Sequence, residues 1–529
     1  MLALLLSLPV ATAACNRKPR VPPGEIPFRP ELLGHQLRDG TIARPSLAGA
    51  QKERVVIVGG GVAGLSAARR LTRAGFSDYV MIELDTVLGG TARQGSFGPS
   101  LAPWGAHYVT LPMAHNKAFI RLLDEAGAIS RFDASGEPVA SEAHLCRDPE
   151  ERIFHEDEWH EGLIPPTDDP KSQAELARFN SEIDALAALR DQKGRRAFAL
   201  PRALASTDAD ILALDKTTFA DWLDKKGFQD ARVRWLTRYA CRDDYGTTPE
   251  HTSAWAGLFY FASRKQASGK SPQPVLTWPE GNGRLVSLLS TQSDGRRMLG
   301  TGVTQVTPRG AERRVSVCAQ RGDGTSVCLD AEHVIFAAPQ LLAKVLIDSY
   351  RSQPHVQSFD YSPWMVANVT LAERPRRAGF PFAWDSVLAE SPSLGYVTAT
   401  HQTGQDHGPT VLTYYYPLTG DDVRAERQKL LSLGRDEWAD VALTDLATAH
   451  PDIFACATRV DVMRWGHAMV RPVPGLHAAL EKARAPFQNV HFANTDLSGL
   501  ALFEEAFFHG IRAAEEVLTA RQIPFESWL

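Results

Sequence analysis

The stretch "RVVIVGGGVAGLSAARRLTRAGFSDYVMIE", Arg54 to Glu83, constrains this chain more than any other. Arg54 to Val58 is a run of branched apolar residues, which reads as a strand buried on both faces of a parallel sheet. It leads straight into Gly59, Gly61 and Gly64 at the spacing GxGxxG. Ala63, Ala67, Leu71 and Ala74 then recur along one helical face, and Gly75 is a stop signal. The next strand is Tyr79 to Ile82, so Glu83 falls at its carboxyl end. A strand, turn and helix of this kind binds a dinucleotide. Gly59 permits the tight turn, Gly61 lets backbone amides approach a pyrophosphate at the helix N-terminus, and Gly64 lets helix and strand pack closely. Glu83 can accept hydrogen bonds from both ribose hydroxyls of an adenosine and repels a 2′-phosphate. NAD and FAD both satisfy these residues.

Gly89 and Gly90 shift the balance towards FAD. The segment "ELDTVLGGTAR" resembles the sequence after the second strand in the flavin-containing amine oxidase superfamily, which includes amine oxidases, protoporphyrinogen oxidases and carotenoid desaturases. In that family the paired glycines pass close to the FAD pyrophosphate and ribityl, and Arg93 stands at the matching basic position, although Thr91 occupies a place usually held by arginine. The resemblance returns at "NVHFANTDLSGLALFEEAFFHGIRAAEEVL", similar to the family's closing FAD motif. There Val490 to Ala493 is the strand, and Ala506, Gly510, Ala513 and Val517 form a small-residue helix face suited to approach the sheet. Asp496 is the candidate ribityl or phosphate contact, or else a turn residue or helix cap. Three further stretches keep the family's order. "WPEGNGRLVSLL" resembles the segment that re-enters the FAD domain, "LGTGVTQVTP" the strand whose Val303 offers backbone groups to the adenine, and "AEHVIFAAPQLLAKVL" the strand and turn leading back to the substrate side.

The resemblance implies an α/β fold, a Rossmann-type FAD-binding domain interrupted by a discontinuous α+β substrate domain. The FAD domain is expected over 54–108, 278–347 and 485–529, and the substrate domain over 109–277, mainly helical, and 348–484. In the first insert "SQAELARFNSEIDALAALRDQK" reads as a surface helix, and "LDKTTFADWLDKKGF" as a helix starting at Asp215 or Thr217 with Phe219, Trp222 and Leu223 inward. "FDYSPWMVANVTLAERP" and "VLTYYYPL" read as strands of the second.

The family implies that Gly105 and Ala106 lie alongside the isoalloxazine, so His107 and Tyr108 are candidates to face the cavity. Trp465 and His467 come from the segment before the closing motif, and Tyr245 and His251 from the helical insert. The strand "MVANVTLAE" carries no lysine of the kind many amine oxidases place near the reactive flavin nitrogen.

With 529 residues, 44% hydrophobic and 22% charged, the chain has ample core for several domains. A net charge of -5 with no basic stripe gives no reason to expect nucleic acid as a partner. "MLALLLSLPVATAACNRKPR" reads as an export signal over 1–15 ending at a lipoprotein-type Cys15, without a basic residue ahead of its apolar core. Residues 16–53, rich in Pro and charge, read as a tether and surface arm. The expected location is therefore the periplasm or cell envelope, with a lipid anchor. Cys318 and Cys328 flank a hairpin turn centred on Asp323, either as a bridge or as two unpaired strand thiols. No CxxC motif points to a redox dithiol or a cysteine metal site.

The expected activity is removal of a hydride from a C–N or C–C bond of a small or lipophilic substrate, with oxygen or a quinone as electron acceptor. Alternatives are a desaturase or isomerase of a long apolar substrate, and a flavin-binding envelope protein without catalysis.

Overall fold

The computed structural model describes residues 21–27, 31–39, 41–42, 49–266, 272–376 and 379–529. The export signal and Cys15 lie outside them.

The first strand, Gln51–Val58, starts three residues earlier than the apolar run suggests, because Gln51–Glu53 extend the ladder with Leu329–Ala331. Val55, Val56 and Ile57 are fully buried, as a strand flanked on both faces requires. It lies between Tyr79–Ile82 and Ser326–Phe336, parallel to both. Arg296–Met298 extends the sheet beyond Tyr79–Ile82. Ser326–Phe336 is shared: its first half pairs antiparallel with Arg314–Arg321, and its last three residues pair parallel with Val490–Phe492 from the end of the chain. Three distant segments thus complete one sheet.

The glycine-turn helix spans Val62–Arg73 and ends where Gly75 adopts φ 78°. The last helix, Phe503–Ala520, was expected to use its small face against the sheet. Ala506, Ala513 and Val517 share a core with Val55, Ile57 and Ile335 of the sheet, while Gly510 lies on the glycine-turn helix: a Cβ there would lie 2.2 Å from the Ala63 carbonyl oxygen and 2.7 Å from Ser66 Cβ. Arg70 fastens the pair through Glu515 at 2.8 Å and the Glu526 carbonyl at 2.6 Å. Gly510→Val is therefore expected to separate the two helices and destabilise the fold by at least the ~1–3 kcal/mol typical of overpacking, read as a lower denaturation midpoint.

The second domain is built on a seven-stranded sheet that contains the antiparallel pair Tyr361–Leu371 and Thr410–Pro417. The insert 109–277 is less helical than expected. Its first half supplies Glu151–His155 and Glu158–Glu161 to this sheet, the former parallel to Asp385–Leu388. That pairing joins residues over two hundred positions apart and leaves no local signature. Helices dominate only from Pro170–Ala188 onward, and Phe219–Lys225 is capped by Thr218 in a capping box, one residue past the expected Thr217. Phe219, Trp222 and Leu223 are buried as expected.

Two boundaries move. Tyr350, Val356, Phe359, Leu476 and Leu480 pack in the same core as Val56 and Val58, so the flanks of the second insert belong to the dinucleotide domain. Residues 21–27 are not a free tether: Val460 and Val462 donate to the carbonyls of Pro23 and Glu25, both at 2.9 Å, on the edge strand Ala457–Val470. Cys318 and Cys328 are cross-strand partners joined by a disulfide.

Candidate active site

Two glycine turns face each other at the carboxyl end of the first sheet. Gly59 has φ 101°, and a Cβ there would lie 3.1 Å from the Ala337 carbonyl oxygen. A Cβ on Gly64 would lie 1.9 Å from the Gly59 carbonyl oxygen, which excludes any side chain. Gly61 differs: its backbone is ordinary extended, and the nearest atom to a Cβ is Gly90 Cα at 3.9 Å. Gly61 and Gly89 form a parallel bridge, with Gly89 N–H donating to the Gly60 carbonyl at 2.9 Å. No side chain caps the helix at Gly61, so its first amides point into this gap.

Glu83 accepts from the amides of Gly60 at 2.6 Å and Asp85 at 2.8 Å. Burial nevertheless lifts its carboxyl to about 7. Arg93 is buried and paired with Asp85 on the same turn. Leu299 to Pro308 folds as a strand from Thr301 to Arg309, and Val303 sits beside the Glu83 loop, which is laced to it by Thr301 N–H to the Glu83 carbonyl at 2.9 Å.

Asp496 approaches from the other side. Asn494 donates to the Ala338 carbonyl at 2.7 Å, and Asp496 accepts from Gln340 N–H at 2.7 Å and the Tyr361 hydroxyl at 2.5 Å. Since Ala337 is the residue against Gly59, the closing motif and the glycine turn share one strand end. The carboxylate of Asp496 itself caps the helix Gln340–Leu346, the role of a cap rather than of a free phosphate contact. Burial raises it to about 6. Gln94 Oε1, Asn282 Oδ1 and Asn494 Oδ1 are buried without a protein partner. An uncapped helix end, an open glycine gap, a strand-end acid and orphaned polar atoms along one groove fit an adenine-linked flavin.

The predicted wall at Gly105 to Tyr108 is held from three directions. Asn282 donates through its amide N–H to Ala106 at 3.2 Å and through its side chain to Tyr108 at 2.9 Å, and Thr277 donates to His107 at 2.8 Å. Tyr415 donates to the Gly105 carbonyl at 2.9 Å, Trp465 to the Trp104 carbonyl at 2.7 Å, and Asn368 to the Pro103 carbonyl at 3.1 Å. A Cβ on Gly105 would lie 2.3 Å from the Thr91 carbonyl oxygen. His107 packs its ring 4.9 Å from Tyr415 and 5.4 Å from Trp384, and Tyr108 lies 5.9 Å from Trp384. Both residues keep accessible surface. Their rings lie against Trp384 and Tyr415, and desolvation lowers His107 to about 4 and drives Tyr108 upward. His107 is therefore a neutral imidazole at pH 7.

The remaining candidates divide. Trp465 belongs to this wall as a fixed hydrogen-bond donor. His467 lies edge-on to Tyr361 with centroids 5.8 Å apart, on the Asp496 side, and desolvation lowers it to about 3. Tyr245 is not at the cavity. It is fully buried in the helical core and its hydroxyl is bound to the Ala256 carbonyl at 2.8 Å. His251 pairs with the exposed Asp421 at 3.0 Å.

Sequence reasoning missed the cavity's most distinctive feature, its acids. Asp385 and Glu151 are register partners on adjacent strands and so share a face. Asp243 meets them from the helix Ala231–Tyr245, at hydrogen-bond limit from the Tyr260 hydroxyl, 3.5 Å. All three retain surface although burial dominates their titration. Burial and then Glu150 bring Glu151 to about 7, burial and then Asp244 bring Asp243 to about 7, and burial followed by Glu151 and Asp243 holds Asp385 well above the carboxylate range. Asp244 is spent on Arg264, whose guanidinium it grips with both oxygens at 2.9 and 2.8 Å. Trp384, next to Asp385, connects the acids to His107. The motif "RDDYG" held the signal, since paired acids on a helix facing a cavity are costly unless used.

Fold and groove define a two-domain, dinucleotide-binding oxidoreductase whose second domain closes a cavity over one end of the groove. A family model described as flavin containing amine oxidoreductase matches residues 62–518, and the chain belongs to that family. An L-amino acid dehydrogenase from Synechocystis sp. is 25% identical over 480 residues, 88% of this chain and 94% of that protein. A redesigned putrescine oxidase has the same fold, with TM-score 0.66 and 19% identity over 89% of this chain and 100% of its own. A fatty acid isomerase from P. acnes is similar at TM-score 0.61 and 16% identity, over 88% and 98% of the two chains.

Proposed function

We propose that this enzyme binds an amine as its cation and, once the ammonium has released a proton to solvent, uses FAD to remove a hydride from the nitrogen-bearing carbon, the nitrogen lone pair forming the C=N bond of the iminium product. The observation that carries this reading is the acid-lined cavity joined to the His107 wall. Asp243, Asp385 and Glu151 are acids that an incoming ammonium can ionise and pair with, since the neighbouring Arg264 is already held by Asp244. The faces of Trp384, Tyr415 and Tyr108 add a slot suited to an alkylammonium. A long apolar substrate offers these acids no charge to pair with. Bound FAD supplies the hydride acceptor. The chain's part is to hold the amine by its charge, fix the wall through Tyr415, Trp465 and Asn282, and exclude water.

An anaerobic screen of primary amines, diamines, amino acids and polyprenoid compounds tests this by flavin bleaching. Bleaching by a cationic amine is the expected result, and bleaching by polyprenoids alone defeats the proposal. Peroxide formed under air distinguishes oxygen from a quinone as acceptor.

A pH dependence accompanies the proposal. Protonated acids no longer balance an ammonium, so kcat/KM for the amine should fall as pH drops through about 7, the level reached by Asp243 and Glu151. A flat profile between about pH 6 and pH 8 contradicts the role given to them.

Export to the cell envelope with a lipid on Cys15 is part of the same proposal. The Cys318–Cys328 bridge supports an oxidising compartment. Fractionation with and without substitution of Cys15 tests it.

A further inference from the structure

The chain ahead of the first strand touches both domains. Its extended arm, residues 21–27, covers the free edge of the substrate-domain sheet. Besides the two ladder bonds to Pro23 and Glu25, Arg435 donates to the Pro22 carbonyl at 2.5 Å and Glu25 pairs with Arg459 at 3.2 Å. The fit leaves no slack at Gly24, where a Cβ would lie 1.7 Å from the Val460 carbonyl oxygen. Val21 and Ile26 pack on the apolar core beneath.

A few residues later the helix Glu31–Arg38 lies on the dinucleotide domain. Leu33 fills the space that Gly302 leaves open: a Cβ on Gly302 would lie 2.1 Å from Leu33 Cδ2 and 3.0 Å from Leu84 Cδ1. Leu37 joins the core that contains Val303. Gly302 precedes Val303 and Leu84 follows Glu83, so Leu33 rests on the immediate neighbours of both residues assigned to the adenosine end. Those neighbours are already one unit, because Glu83 N–H donates to Met298 at 3.0 Å and Gly300 N–H to Asp85 at 2.9 Å. The rim around them is apolar, with Leu84, Val87 and Leu299 each at least 37% exposed even beside Leu33.

We propose that residues 21–27 and the helix Glu31–Arg38 form a clasp that retains the dinucleotide, pinning its adenosine-binding strands to the substrate domain. The two contacts act in series: the arm holds the helix in place, and the helix fixes Glu83 against Val303. Leu33 is on this view a positioning residue. The inference rests on the dinucleotide reading of the groove and not on the amine.

Two variants test it, Leu33→Asp on the helix and Gly24→Val on the arm, with FAD affinity and release rate followed by flavin fluorescence on the full chain. Both should weaken FAD at least about tenfold and speed its release by a similar factor, while thermal unfolding of the apo-protein stays close to that of the parent. Unchanged affinity in both overturns the clasp. Loss in Leu33→Asp alone overturns the bridging role of the arm and with it the proposal. If Leu33→Asp does not fold, Gly24→Val decides by its release rate. A parent apo-protein that takes up no FAD overturns the cofactor assignment and the clasp together.

Discussion

A Gly61→Val variant is expected to purify folded and colourless. Gly61 has an ordinary extended backbone that any residue can adopt, and a Cβ there meets nothing closer than Gly90 Cα at 3.9 Å. The valine therefore enters the gap between the two glycine turns, the place through which the helix amides reach a pyrophosphate. Loss of charge-assisted hydrogen bonds worth about 1.5–3 kcal/mol each should weaken FAD by at least a hundredfold. Unfolding of the apo-protein should barely change. Gly64→Ala is the contrast, because its Cβ would lie 1.9 Å from the Gly59 carbonyl oxygen and must displace the helix itself. If Gly61→Val retained flavin at parental affinity, the groove would not be the cofactor site.

The second large effect concerns Asp385. Asp385→Asn keeps the size of the side chain and a partner for Tyr239, yet removes the ionisable carboxyl at the centre of the acid cluster, the group that a bound ammonium would draw into its charged form. A hydrogen bond to a charged group contributes about 1.5–3 kcal/mol, so kcat/KM for a cationic amine should fall on the order of tenfold to a hundredfold. The loss should sit mainly in KM, with the flavin spectrum and FAD affinity preserved, because Asp385 recognises the amine rather than the cofactor. An unchanged kcat/KM would falsify the assignment of this wall to amine binding.

The dinucleotide half of the molecule was legible in the sequence because its constraints are local. A strand, a tight turn and a helix follow one another in Arg54 to Arg73, and Gly64 answers to the Gly59 carbonyl oxygen five residues back. The same holds for Tyr79–Ile82 and Glu83. The active-site wall was legible in part: His107, Tyr108 and Trp465 face or frame the cavity, since the family's order carries their position. Tyr245 was misplaced because an aromatic beside a predicted cavity and an aromatic in a helical core have the same sequence. Its hydroxyl goes to Ala256.

Asp385 and Glu151 were not legible at all, and the reason is register. Glu151 and Asp385 become neighbours through one parallel pairing between strands far apart in the chain, and a shift of one residue would have turned both to the opposite face. The arm at 21–27 was read from composition as a loose tether, whereas backbone pairing to an edge strand needs no side-chain pattern.

By itself the sequence determined the dinucleotide turn, the acid at position 83 and the order of the segments that return to them, because short-range sterics and hydrophobic period decide such features. Tertiary structure alone decided which buried acids come together, that Asp496 caps a helix, and that the last helix lies on the glycine-turn helix. Those depend on which distant strands pair and in what register, and pairing energy is earned only when the chain is closed.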